Sequence, residues 1–456
     1  MKTILTPLKI FAITTLFIGI LFSCKKEEAQ AVNSTAESID ETVNKTKETS
    51  LDFEKGDPKI IPVLEAYLET YVFGVTEWKH KDIYNLKDFD LILSLKGEDG
   101  QSVAAYMVLP PNSNYKGDTS DVVETKNKPT DGTFAIRMND QDFLEKAISS
   151  LKQGSFGSYQ DRYLIIHEDE TDFEYNRITG SIDFIIHEGF HLFPQYRDFT
   201  LKSGNFGQYR FNMPKHYPHD LESFTLIYAG HKIAEMVAHT TDRKELLEYA
   251  KMFYTILNRL IANDTSEEEF VKNWFLNIQW LEGLTSYITY NAIKERSFYE
   301  TDIAKIPYQV FSSLIENVIE NKRTGITYSD QDGIHIVEYP YSDIIDTSAY
   351  LMGVWLYGTL DLLDYDVFEP SKKGISIDVI YKNYFAQNNI IVDQNAVLES
   401  IKTELPSINW NDTEEIVKDY INLWAEDSEK KSSYHSVSTN PILLHQWCQS
   451  KNIQIN

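Results

Sequence analysis

Cysteine is almost missing from this 456-residue chain, which has only Cys24 and Cys448. Two thiols cannot supply a disulfide framework, so the fold has to be held by burial. Basic residues are also scarce: 43 Lys and Arg stand against 69 Asp and Glu, a formal charge of −26. That balance excludes nucleic acid as a partner, because phosphates need neutralising by Lys and Arg. It likewise argues against broad electrostatic adhesion to an anionic membrane, and describes a solvated acidic surface. No repeat with a period of 20 to 50 residues is evident, which argues against a solenoid. The apolar run Ile10 to Phe22 is too short to span a bilayer comfortably. What is abundant is apolar and aromatic mass, 42% of the chain with 24 Phe, 28 Tyr and 7 Trp. At this length one large two-lobed domain or two domains are expected.

Lys2 and Lys9 precede or border that run, which ends in Leu21-Phe22-Ser23-Cys24. The ending resembles a bacterial lipobox, with a small residue immediately before the cysteine. The resemblance implies a signal peptide over residues 1–23, removed before Cys24, and acyl chains on Cys24 as the lipid attachment. Lys25-Lys26-Glu27-Glu28 follows at once and resembles the surface-export tag of Bacteroidota lipoproteins. The implied location is the bacterial outer membrane, at its periplasmic face or the cell surface, with membrane contact through the anchor only. Residues 24–56 are rich in Lys, Glu, Ser, Thr and Asn, too polar to offset ordering entropy, and read as a flexible tether. With Cys24 lipidated, Cys448 lacks an intramolecular partner and reads as a buried inert thiol.

Order is expected from near Pro58, where Ile60, Val63, Leu64, Tyr67, Leu68 and Val72 recur at helical spacing. Phe89 to Leu95 and Ser102 to Leu109 bracket Gly97-Glu98-Asp99-Gly100, the pattern of a hairpin. Pro110 to Gly132 reads as a long polar loop, Thr133 to Met138 and Tyr163 to His167 as strands, and Gln141 to Leu151 as a helix. Beyond Ser181 the pattern is mostly helical. The expectation is an α+β protein. An N-terminal α/β lobe over 57–178 precedes a helical, zinc-binding lobe over 179–300 and a C-terminal helical region over 301–456.

Ser181 to Phe193 reads as one helix, capped by Ser181, with Asp183 in its first turn and Pro194 limiting its extent. It contains His187-Glu188-Gly189-Phe190-His191 among apolar neighbours, so it is expected to be buried nearly all round. At about 100° per residue, His191 lies about 40° from His187 and one turn further on. Both imidazoles can therefore bind one ion. Glu188, about 100° round, can flank that ion and take a proton from water without displacing a ligand. The residue types and spacing are those of a zinc hydrolase, and the uncharged flanks Ile186, Gly189, Phe190 and Leu192 resemble the stricter zincin pattern.

A catalytic zinc normally takes three protein ligands. The candidate for the third is Glu282, in Trp280-Leu281-Glu282-Gly283-Leu284-Thr285-Ser286-Tyr287, within a helical stretch from about Glu267 to Ile293. A Glu followed by Gly, with a Tyr five residues on, resembles the third-ligand helix of gluzincins. Gly283 is expected to let that helix come close to the first. The chain thus resembles gluzincin-type metallopeptidases, and more narrowly bacterial proteins with an HE-x-x-H helix and a later EGL-x-x-Y helix. Tyr350-Leu351-Met352-Gly353-Val354-Trp355 is similar to a further helix of that group. The resemblance implies a zincin-like fold: a small antiparallel or mixed sheet lobe whose edge strand binds substrate, then a large helical lobe. It also implies Zn2+ held by His187, His191 and Glu282, with Glu188 as catalytic base in peptide or protein hydrolysis. One departure stands out: gluzincins often carry an Asp four residues after the ligand Glu, and here that position is Ser286.

Glu222, in Asp220-Leu221-Glu222-Ser223, is the rival third ligand, or else a solvated acid at a helix start. His216 and His219 read as loop histidines and His167 as a strand residue that could face the cleft. Tyr287 and Tyr350 are possible oxyanion donors, although helical tyrosines more often belong to a core. Asp330-Gln331-Asp332-Gly333 lacks the acidic residue a calcium loop requires at its twelfth position, which is Tyr341. The alternative to an enzyme is a non-catalytic surface lipoprotein that binds glycans on its aromatics, or peptides.

Overall fold

A computed structural model describes residues 51–97, 100–149, 156–157, 163–168, 177–199, 220–267, 269–299, 303–321, 324–330, 333–339, 343–405 and 408–428. The lipobox, Cys24, the charged tetrad, nearly all of the tether, His216, His219 and Cys448 lie outside them. The protein is α+β, a small mixed sheet and a large helical region. The described residues fall into two compact units, one comprising those up to 199 with 288–299, the other 220–287 with 303–428.

The first unit opens with a helix, Phe53–Thr76, whose N-cap Asp52 accepts from the Lys55 amide at 3.1 Å. The cap sets the helix start before Pro58, earlier than apolar spacing alone suggests, and both Pro58 and Pro62 lie inside the helix. Ile60, Val63, Leu64, Tyr67, Leu68 and Tyr71 form its buried stripe.

Strands β1 (Asp90–Lys96) and β2 (Ser102–Leu109) form the expected antiparallel hairpin, its turn closed by the Gly97 amide on the Gln101 carbonyl at 2.8 Å. Gly100 takes φ +79°, a left-handed conformation that costs glycine little. With β3 (Phe134–Arg137), β4 (Phe156–Gly157) and β5 (Tyr163–Glu168) the sheet runs β3-β2-β1-β5-β4. Among the described strands of this sheet, only β1 and β5 pair in parallel. One face carries Ile92, Ala105, Met107, Leu109, Ile136 and Ile165, packed with Leu144 and Ala147 of the helix Gln141–Ser149. Every residue of β1 except Lys96 is buried, as expected for a central strand covered on both faces.

The second unit is helical apart from the hairpin β6 (Thr324–Asp330) and β7 (Gly333–Tyr339). Its central helix, Leu221–Ala238, is buried almost all round. The helices Arg243–Asn263, Pro307–Asn321, Asp343–Leu362 and Trp410–Ser428 pack against it. Among the described residues no helix is long and apolar enough to cross a membrane.

Candidate metal centre

The helix that carries the two histidines runs Arg177–Phe190, beginning a turn before Ser181. Ser181 is therefore not its cap: its hydroxyl is buried inside the helix, with no hydrogen-bond partner among the described residues. Apolar periodicity begins near Ser181, whereas the helical backbone has already started. Thr179, in the added turn, donates its hydroxyl to the Phe298 carbonyl at 2.9 Å.

Pro194 does not end the helix either. Proline lacks an N–H and its ring crowds the carbonyl four residues back. Here the chain responds by widening into a π turn over His191–Gln195, then resumes α-helix at Tyr196–Asp198. Such π turns recur at functional sites.

His187, Glu188 and His191 are all buried, between 2% and 5% exposed. The two Nε2 atoms face one another at 3.0 Å, with the rings nearly perpendicular at 78°. Nδ1 of His191 lies 2.5 Å from Oε1 of Gln195, itself fully buried. Asp183 sits one turn before His187. Burial pushes its carboxyl up to about 6; His187 works against that shift and Glu188 adds to it.

Gly189 has a clear physical reason. A Cβ there would fall 2.3 Å from the Tyr84 hydroxyl and 3.1 Å from the Phe89 ring. Phe89 in turn stacks on Phe193 at 4.5 Å, and Tyr84 meets Phe190 edge-on at 5.5 Å. The histidine helix is seated on an aromatic cluster that leaves no room for a side chain at this point.

Glu282 lies in a second π turn, Gln279–Gly283, of a helical run that continues from Val271 to Ile293. His187, His191 and Glu282 each offer one ligand atom, all within 4.8 Å of one another and all buried, and the group could hold a metal ion. The donor set suits zinc. Two nitrogens on a tetrahedral zinc at about 2.0–2.1 Å stand about 3.3 Å apart, close to the 3.0 Å between the imidazoles.

Glu222 is engaged elsewhere. Its carboxylate accepts from Arg259 at 2.9 Å and Asn263 at 3.1 Å, and pairs with Lys402 at 3.4 Å. Burial alone would raise its pKa, but these partners hold it below the usual carboxylate range.

Gly283 does allow a close approach, to Gly353 of the helix Asp343–Leu362. A Cβ on Gly283 would lie 2.9 Å from the Gly353 Cα. The Tyr287 hydroxyl donates to Asp361 in a short hydrogen bond, and its ring stacks on Phe368. His167 is buried in β5. Its Nδ1 meets the Ser94 hydroxyl at 2.8 Å and its Nε2 the Gly100 carbonyl at 3.3 Å, and burial lowers its pKa. Gln195 is the residue that sequence reasoning did not single out. Its only signal is the i,i+4 spacing from His191, and the intervening proline obscured it. A cavity of about 440 Å³ lined by Tyr228, Tyr308, Glu316 and Asp412 includes none of the candidate site residues.

Comparison with known proteins finds no matching family, no matching curated protein and no matching solved structure.

Proposed function

We propose that this protein is a zinc-dependent hydrolase, in the first instance a metallopeptidase of gluzincin type. One observation carries the reading: three buried ligand atoms, from His187, His191 and Glu282, gathered within 4.8 Å. Two imidazoles and a carboxylate converging in a dry setting are a donor set that one divalent cation can draw on together. Zinc held by these three would polarise a scissile carbonyl and make water a better nucleophile at neutral pH.

The chain's own contribution falls to Glu188. It directly follows one ligand on the same buried helix, about 100° round from it. From there its carboxylate takes a proton from the attacking water and later passes that proton to the leaving amine. His187 and His191 would present imidazole lone pairs to the ion, and the apolar residues beside them keep bulk water out. A peptide or protein is the substrate class. The lipobox-like Cys24 places the enzyme on the outer membrane by its acyl chains, with catalysis outside the cytoplasm.

Metal analysis of the purified protein tests the reading first. A single zinc per chain is expected, lost in His187→Ala. In Glu188→Gln the zinc should remain while cleavage of a peptide library disappears. A protein without bound metal, or full cleavage by Glu188→Gln, overturns the assignment. A zinc-loaded parent that cleaves nothing leaves a metal-holding, peptide-binding lipoprotein instead.

A further inference from the structure

We infer that Gln195 is a positioning residue for His191: its side-chain oxygen selects the imidazole tautomer that can bind a metal. The inference rests on the zinc reading of His187, His191 and Glu282, and goes beyond it by identifying what holds one ligand ready.

The geometry leaves little freedom. Oε1 of Gln195 lies 2.5 Å from Nδ1 of His191. An amide oxygen only accepts hydrogen bonds, so Nδ1 carries the hydrogen. In a neutral ring the other nitrogen, Nε2, is then bare. That nitrogen is the one 3.0 Å from Nε2 of His187, where a shared cation would sit. In the opposite tautomer an N–H would occupy the place of the ligand lone pair, and Nδ1 and Oε1 would face each other as two acceptors. Gln195 is fully buried, so no water competes for Nδ1 from that side.

Pro194 is part of the same device. A helix that stopped at this proline would carry residue 195 away from the histidine. The π turn over His191–Gln195 keeps the chain helical past Pro194, so the fourth residue on still flanks His191. The Asp that gluzincins place four residues after the ligand Glu is here Ser286. Gln195 supplies the orienting acceptor from the histidine's own helix, as a neutral amide that does not titrate.

The test compares Gln195→Met, similar in length but without a strong acceptor, with Gln195→Glu, which keeps one. Zinc affinity is read by chelator competition, and the His191 tautomer in metal-free protein by nitrogen NMR. Loss of an orienting partner weakens metal binding about 10–100-fold. That loss is expected in Gln195→Met, with the Nδ1–H form of His191 giving way to a mixture. Gln195→Glu should restore both readouts. Equal zinc affinity in Gln195→Met and parent, or equal weakening in both variants, would overturn the inference. If the parent binds no zinc, the metal reading fails on the parent alone. The tautomer then still decides: a His191 already mixed in the parent, or unchanged in Gln195→Met, refutes the role of Gln195.

Discussion

Gly283 and Gly353 meet backbone to backbone: a Cβ built on Gly353 would stand 2.4 Å from the Gly283 Cα. Gly283 follows Glu282 directly, so this crossing sets where the carboxylate-bearing π turn lies against the helix Asp343–Leu362. The Gln279 side chain crowds the same point, 2.7 Å from the added Cβ.

Gly353→Ala should force these helices apart. Overpacking of this kind costs about 1–3 kcal/mol, read as a lower denaturation midpoint. Because the displaced segment carries Glu282, zinc affinity should fall with stability. An alanine accommodated at full stability and full affinity would show that the crossing does not position Glu282.

Gly189→Ala should destabilise through the Tyr84 hydroxyl, the nearest atom in its way. That hydroxyl is buried with no hydrogen-bond partner among the described residues, so Tyr84→Phe alone should be neutral or mildly stabilising. The double variant should recover much of the loss, giving a coupling of about 0.5–3 kcal/mol in a double-mutant cycle. Additive effects would place the strain elsewhere, for example on Phe89.

Glu222 and Glu282 separate cleanly. Glu282→Ala should abolish stoichiometric zinc. Glu222→Ala should leave zinc in place and cost at most about 1 kcal/mol, because its ion pairs are partly solvated. Zinc lost from Glu222→Ala and kept by Glu282→Ala would reverse their roles.

His231 makes acid stability a test of burial. Its ring stacks on Phe311 at 3.7 Å, Nδ1 meets the Ile227 carbonyl at 2.8 Å, and Nε2 is buried with no partner among the described residues. Burial pulls its pKa from 6.5 to about 3. The unfolded chain therefore takes up a proton that the folded one refuses between those values. Stability is untouched above pH 6.5 and falls as pH drops towards 3, by up to about 1.4 kcal/mol per pH unit. His231→Leu should flatten that part of the acid limb in denaturation measured from pH 7 to pH 4. An unchanged slope would mean that the histidine is protonated in the native state.

Local patterns were legible where they reflect a single element. Two strand-like runs bracketing the segment from Gly97 to Gly100 mark the β1–β2 hairpin, and i,i+4 spacing puts His187 and His191 on one helical face. The misses came where two signals competed. Ser181 offers a cap, yet the helix begins at Arg177, because backbone hydrogen bonding can start before the apolar stripe does. Pro194 signals an end, yet a π turn absorbs its missing N–H. Gly283 signals a close neighbour without saying which one, since a glycine marks available space and not its occupant.

The chemistry on offer is already written in local spacing. Helical pitch sets the angle between residues four apart whatever surrounds them, so two imidazoles with a carboxylate beside them follow from spacing alone. Which acid lies with them in the buried cluster is a matter of packing. Glu222 and Glu282 are alike as side chains, but one is drawn to Arg259 and Lys402 while the other lies buried with the histidines. That choice depends on how separate helices pack, which no local spacing encodes.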